Sequence, residues 1–274
     1  MSAVNALLRS LADALLAPFA GMNPLVGLTL VSLLLAVVML LVFKKVSNQD
    51  QLERVKRQIH AGLFEMRLFN DDLPQIFRAQ WAILKANGRY LALTLVPMVI
   101  LLPLIVLVSA QLQFHYGYQG LKPGEPVLLT VALKQGVGAT KPAMRLEAPT
   151  GLKVETPAVW APALGEVAWR LVAEQPGIYE VRIVSGGEEL VKTAVSSSEV
   201  VRRSPLRPGT NLLDQLLYPS EPPIPGASQV ASIRLGYPDA EVSLLGWKMH
   251  WMIAFIILSI VFALALRRLF GVTI

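Results

Sequence analysis

The 274-residue sequence contains no cysteine. That absence excludes disulfides, thiolate metal sites and a cysteine nucleophile, and it leaves the redox compartment open. Histidine is scarce as well: only His60, His115 and His250 occur, and no two stand at a metal-ligand spacing. No nucleophile-elbow pattern and no phosphate-binding glycine loop is present. Charge is thin, at 16% of residues, while 54% are hydrophobic and the mean hydropathy is +0.52. Soluble domains rarely combine those figures, so membrane spans are expected. With so little to support bond chemistry, the chain reads as a non-enzyme without metal or cofactor.

Three apolar stretches are long enough to cross a bilayer of about 20 helical residues: 25–43, 91–112 and 247–266. Polar side chains in mid-span are few (Thr29, Ser32, Thr94 and Ser259), and the middle span carries Pro97 and Pro103. A pump or channel would normally place a charge there, so those classes lose ground. Residues 1–24 hold an apolar stripe of Val4, Leu7, Leu8, Leu11 and Leu15, closed by Pro18 and Gly21. They read as a short helix lying in the membrane interface. The apolar core that follows runs straight into Lys44-Lys45 with no small-residue cleavage site, which reads as a retained anchor.

The basic residues set the expected topology. Residues 44–90 carry nine Lys/Arg against five Asp/Glu, whereas residues 113–246 carry twelve against thirteen. The net charge of +6 is therefore a positive-inside signal rather than a nucleic-acid surface. The topology that satisfies it has the N-terminus outside, residues 44–90 in the cytoplasm, residues 113–246 outside, and the tail 267–274 inside the cytoplasmic (inner) membrane. Within 44–90, Leu52, Val55, Ile59, Leu63 and Met66 repeat at three and four, as in an amphipathic helix. Asn70-Asp71-Asp72-Leu73-Pro74 stops that helix and starts another, with an Asp as N-cap and proline in the first turn. The second helix is expected to carry Ile76, Phe77, Trp81 and Leu84 on its apolar side and to end near Asn87-Gly88. The segment is thus a basic helical hairpin, or a loop that only fixes topology.

Residues 113–246 change period. Val127–Leu133 follows the turn Lys122-Pro123-Gly124-Glu125; Val167, Trp169 and Leu171 alternate with Ala168 and Arg170; Tyr179, Val181 and Ile183 alternate with Glu180 and Arg182. Gly186-Gly187 turns into Leu190–Val195. Short alternating runs separated by Pro and Gly predict an antiparallel all-β sandwich, and Pro-Gly-Ile-Tyr-Glu-Val resembles a late strand of immunoglobulin-like domains. From Val200 to Pro225 the pattern gives way to a proline-rich connection with a short helix at Asn211–Leu217, before a last strand at Val230–Leu235. His115 and His250 sit near the outer boundary and could meet in space, but beside Tyr116, Trp247 and Trp251 the favoured reading is interfacial histidines in an aromatic belt.

The interfacial helix, the run Phe43-Lys44-Lys45-Val46-Ser47-Asn48-Gln49-Asp50-Gln51-Leu52 continuing to Phe69, and the three-span layout resemble the YidC-type membrane insertase superfamily. The likeness is to its short three-span members, the archaeal YidC-like proteins and the insertase-related subunit of the endoplasmic reticulum membrane complex. It covers about residues 1–112 and 247–274. The resemblance implies assistance to membrane-protein insertion without bond chemistry. Leu63, Met66, Phe69 and Phe77 would receive hydrophobic client segments. Thr29, Ser32 and Thr94 would line a polar groove, and Lys44, Lys45, Arg54, Lys56 and Arg57 would form the basic surface of a coiled-coil-like hairpin. The implied partners are the lipid bilayer and client membrane proteins, with no nucleic acid. A second class stays open: an envelope scaffold whose sandwich recognises an extracytoplasmic protein partner.

Overall fold

Period-two alternation builds the β-rich part of the chain. In the computed structural model, which describes residues 2–69, 72–134 and 142–272, Pro126–Leu133 forms β1 and buries Val127, Leu129 and Val131. Three short strands follow: Met144–Glu147 (β2), Leu152–Val154 (β3) and Val159–Ala161 (β4). Glu166–Ala173 (β5) buries Val167, Trp169, Leu171 and Ala173. Gly177–Ser185 (β6) and Glu188–Ser196 (β7) form a hairpin turned by Gly186 and Gly187, both at positive φ. A left-handed turn of this kind admits glycine without strain. Leu206–Arg207 (β8) and Val230–Leu235 (β9) complete two antiparallel sheets, β3-β5-β1-β9-β8 with β4 also on β5, and β2-β6-β7.

The register pairs inward residues across strands. Leu129 lies opposite Trp169 and Leu235, and Val131 opposite Val167 and Ile233. Both sheets contribute to one hydrophobic core, the second through Tyr179, Val181, Ile183, Leu190 and Ala194. Trp169 is 3% exposed within it. Trp169→Ala is expected to cost about 3–5 kcal/mol, measured by denaturation of the full-length protein. A loss under about 1 kcal/mol would move the ring out of the core.

Helices make up the rest: Ser2–Leu16 (α1), Pro24–Val46 (α2), Gln49–Leu68 (α3), Leu73–Tyr116 (α4), Leu212–Leu217 (α5) and Trp251–Phe270 (α6). α1 ends in a 3₁₀ turn at Ala17–Phe19 containing Pro18. α2, α4 and α6 are long and apolar enough to cross a membrane. The chain is a multi-pass membrane protein with a β-rich domain. Two compact units divide it: Met1–Gly27 with Ser109–Trp251, and Leu28–Val108 with Met252–Ile274. In the second unit α2 buries one stripe, Leu28, Val31, Ser32, Leu35, Ala36 and Leu40, at helical spacing.

Three expectations change. The second hairpin helix does not end at Asn87-Gly88; α4 runs unbroken into the middle span as 44 residues. Neither residue takes the positive φ of a helix cap. A glycine costs only about 1 kcal/mol in a helix interior, less than breaking backbone hydrogen bonds at a membrane boundary. The third span does not begin at Trp247. Trp247–His250 is strand β11, paired with Glu241–Leu244 (β10), and α6 starts at Trp251. Hydropathy averages a strand and a helix alike, so it merged the two. Finally, residues 113–246 do not stand apart as a unit, because α1 belongs with them.

α1 is docked by its polar face. Arg9 Nη1 donates to Ser220 O at 3.0 Å, and Asp13 lies against His115 and Arg202. Leu7, Leu11 and Leu15 are exposed on the opposite stripe. The side chains of Val4 and Leu8, placed on that stripe by sequence, lie outside the described residues.

Candidate functional site

The hairpin of α3 and α4 is assembled by its caps. Asn48 accepts from Gln51 N at 3.1 Å to start α3. Asp72 starts α4, its carboxylate accepting from Gln75 N at 3.3 Å and from Gln75 Nε2 at 2.8 Å, with Pro74 in the first turn. Asn70 and Asp71 lie outside the described residues. The two helices run antiparallel. Gly62 faces Ile83 so closely that a Cβ there would stand 2.7 Å from Ile83 Cγ1, and Lys56 Nζ lies 5.8 Å from the centre of the Tyr90 ring. A side chain at 62 would therefore push the helices apart.

The faces of α4 differ from the expected ones. Ala79 and Ala86 are buried, and Ile76, Ile83 and Tyr90 are half-buried, so these residues make the side that meets α3. Phe77, Trp81 and Leu84 do not share it; all three are exposed. At about 100° per residue they fall on a second stripe with Leu73, Leu91, Leu95, Leu102 and Val106, all of them exposed. The stripe is unbroken from the hairpin end of α4 into its membrane-spanning part. From Leu73 to Leu95 it extends about 33 Å at 1.5 Å per residue. Arg78, Lys85 and Arg89 flank it, with Lys85 Nζ 5.4 Å from the Trp81 ring centre.

The client-binding set named from sequence lies at the free end of the hairpin. Leu63 is 50% exposed, Phe77 is 67% exposed, Phe69 is exposed and Met66 is half-buried. Leu63 and Met66 share an open depression of about 520 Å³ with His60, Phe64 and Arg67. Phe64 and Leu68, which the sequence reading passed over, are among the most exposed apolar residues there. A helical-wheel count extended past Gly88 would have added Leu91 and Leu95 to the line of Leu73, Phe77, Trp81 and Leu84. Lys44, Lys45, Arg54 and Arg57 are exposed and Lys56 half-buried, all nearer the spans than the free end. Each of the three groove candidates is occupied or placed within its own helix. Ser32 is fully buried and donates to Leu28 O at 2.8 Å; Thr94 donates to Tyr90 O and Leu91 O of its own helix; Thr29 is half-buried on α2.

The β-rich unit carries a separate polar cluster that sequence spacing could not reveal. His115 is buried, and its ring nitrogens face Gln111 O at 3.1 Å and Asp13 Oδ1 at 3.0 Å. Arg202 Nε donates to the same Asp13 oxygen at 2.9 Å and Nη2 to Gln111 Oε1 at 3.1 Å. His115 thus turns to α1, while the His250 ring lies against Trp251. Burial pushes the Asp13 carboxyl upward, but hydrogen bonds from His115 and Arg202 and the charge of Arg202 outweigh it. The carboxyl ends below its ordinary range.

A carboxylate so depressed contributes stability that is complete above its unfolded value, about 3.9, and is lost as pH falls through the lower folded value. Asp13 is half exposed, so solvent screens the effect. We expect amides of α1 in Asp13→Asn to exchange hydrogen faster than in wild type at neutral pH. The difference should close below about pH 3.9. Equal exchange at neutral pH would show that the cluster does not hold α1.

A cavity of about 660 Å³ adjoins this cluster, lined in part by Tyr118, Lys122, Ser197, Glu199, Arg203 and Glu241. Its cations and carboxylates balance. Arg203 is buried, and its two terminal nitrogens donate to backbone carbonyls, Tyr118 O, Ser197 O and Glu199 O at 3.0, 2.8 and 2.6 Å, while its Nε has no partner among the described residues. The cavity is built as a structural seam rather than a charged site. No protein-family model, curated protein or solved structure matches this chain.

Proposed function

We propose that this chain is a YidC-like membrane protein that helps insert or assemble other membrane proteins, working through contacts and not through bond chemistry. The observation that carries this reading is the exposed apolar stripe of α4, continuous from Leu73 through Phe77, Trp81 and Leu84 to Leu91 and Leu95. The part from Leu73 to Leu84 precedes the expected span, and exposed apolar surface there marks a place where another apolar surface binds. A hydrophobic segment caught at the free end of the hairpin would find apolar contact all the way to the bilayer. Such a track reduces the cost of handing over a segment whose flanking polar residues must approach the membrane. In this reading the exposed Phe64, Leu68 and Phe69 make the first capture, and the basic residues near the spans fix the hairpin in the cytoplasm.

The reading places the protein in a cytoplasmic membrane, with the N-terminus and an immunoglobulin-like sandwich outside and the C-terminus inside. The Lys and Arg distribution supports this orientation. Photocrosslinking groups placed at Leu63, Met66, Phe69 and Phe77 during synthesis of a simple N-out client test the proposal. Crosslinks to several nascent clients are expected at these positions. Crosslinks confined to one stable partner subunit would instead favour the scaffold reading, in which the sandwich recognises an envelope protein.

A further inference from the structure

The β10–β11 hairpin pairs Glu241 with His250 and Leu244 with Trp247, leaving Leu245-Gly246 as its loop. Both loop residues have positive φ, +52° and +86°, as a two-residue type I′ turn requires. Asn, Asp and Gly suit the first of those positions because they tolerate the left-handed region; leucine does not. Leu245 is the one non-glycine residue with positive φ among the described residues, and it is 96% exposed. It neither fits the turn nor fills a core. Trp247, next to it, is 77% exposed, and Lys248 is exposed as well.

What covers this tip is indicated by where the hairpin is attached. β11 is four residues long and leads directly into Trp251, the first residue of the membrane-crossing helix α6. At about 3.3 Å per residue, Trp247 is held within about 13 Å and Leu245 within about 20 Å of the start of that helix. Trp251 is itself fully buried and donates from Nε1 to Gln113 Oε1 at 2.8 Å, so the base of the hairpin is fixed. Tryptophan and lysine are the residues that settle at a membrane–water boundary, the ring at headgroup level and the ammonium among phosphates. A protein partner would have to bring its own apolar surface to this point, whereas the bilayer that α6 enters is already within reach. We propose that the β10–β11 tip is a lipid-contacting loop, inserting Leu245 and Trp247 into the headgroup boundary of the leaflet where α6 begins, with Lys248 meeting lipid phosphate.

The absence of cysteine makes the test clean, because a nitroxide on Leu245→Cys reports from a single site. In full-length protein reconstituted in phosphatidylcholine vesicles, that label should collide more often with oxygen than with a water-soluble nickel chelate. A label on Glu180→Cys, on an exposed strand position, should show the reverse. A label at 245 that meets the nickel chelate as freely as the one at 180 would overturn the proposal. So would a label immobilised and shielded from both reagents, the signature of a protein cover. Unmodified protein provides a second measurement if Leu245→Cys does not fold. Lipids brominated near the headgroup should quench more fluorescence in wild type than in Trp247→Phe, and equal quenching would overturn the proposal independently.

Discussion

Glu221→Ala should destabilise the β-rich unit by about 3–5 kcal/mol, a large part of the stability of an ordinary domain. The residue answers a buried cation. Lys192, in the middle of β7, has no exposed side-chain surface, and its ammonium sits 2.6 Å from Glu221 Oε2. It also donates to Ser204 O at 2.6 Å, while Glu221 Oε1 accepts from Thr193 N at 3.1 Å. Burial pushes the Lys192 ammonium toward its neutral form, and the Glu221 charge and hydrogen bond oppose that. Removing the carboxylate leaves a desolvated ammonium and an unpaired strand N–H. Replacing both partners, as Lys192→Met with Glu221→Leu, should cost far less, because neither charge is then stranded. Denaturation of the full-length protein, followed by tryptophan fluorescence, distinguishes the two variants. Equal losses in both would show that packing rather than charge holds this edge.

The pair also explains why a proline-rich connection can lie against β7. Pro205, Pro208, Pro219, Pro222, Pro223 and Pro225 supply no backbone donors. The connection offers carbonyls instead, and cations from the sheet and from the connection itself satisfy them. Arg207 donates to Pro222 O at 3.0 Å and to Val191 O of β7.

Leu63→Ser with Phe77→Ser should remove client capture while leaving the hairpin folded. Both side chains are at least half exposed, so their loss costs the fold about 0.5 kcal/mol or less each. Covering them with a client is worth about 1.5–3 kcal/mol apiece, so capture should weaken by roughly a hundred-fold or more. Leu52→Ser is the contrasting variant. Leu52 of α3 is fully buried, and its replacement should lower hairpin stability directly. A double-serine protein that is degraded in cells like Leu52→Ser would assign Leu63 and Phe77 to structure.

Much of this architecture was legible where one period dominates. The alternation of Val167, Trp169 and Leu171, and of Tyr179, Val181 and Ile183, placed those residues in the core, and the last strand was legible from Val230 to Leu235. The short helix at Asn211–Leu217 was legible as well, and in the structure Asn211 caps α5 by accepting from Leu213 N. What the sequence did not disclose is of two kinds. Strands of two to four residues such as β2, β3, β4 and β8 are too short for alternation to register. Long-range pairs such as Asp13 with His115, or Lys192 with Glu221, carry no local signal at all. The apolar stripe of α4 was partly visible as Phe77, Trp81 and Leu84. A helix end placed at Gly88 hid its continuation into the span.

On the proposed reading this protein helps deliver a hydrophobic segment into a bilayer, guided by the exposed stripe of α4. The direct measurement is insertion of a single-span, N-out client, synthesised in vitro, into vesicles that contain only the purified full-length protein, scored as a protease-protected fragment. Vesicles with the wild-type protein should yield more protected fragment than empty vesicles, and vesicles with the Leu63→Ser, Phe77→Ser protein should fall back to the empty level. Equal protection in empty and wild-type vesicles would contradict the account.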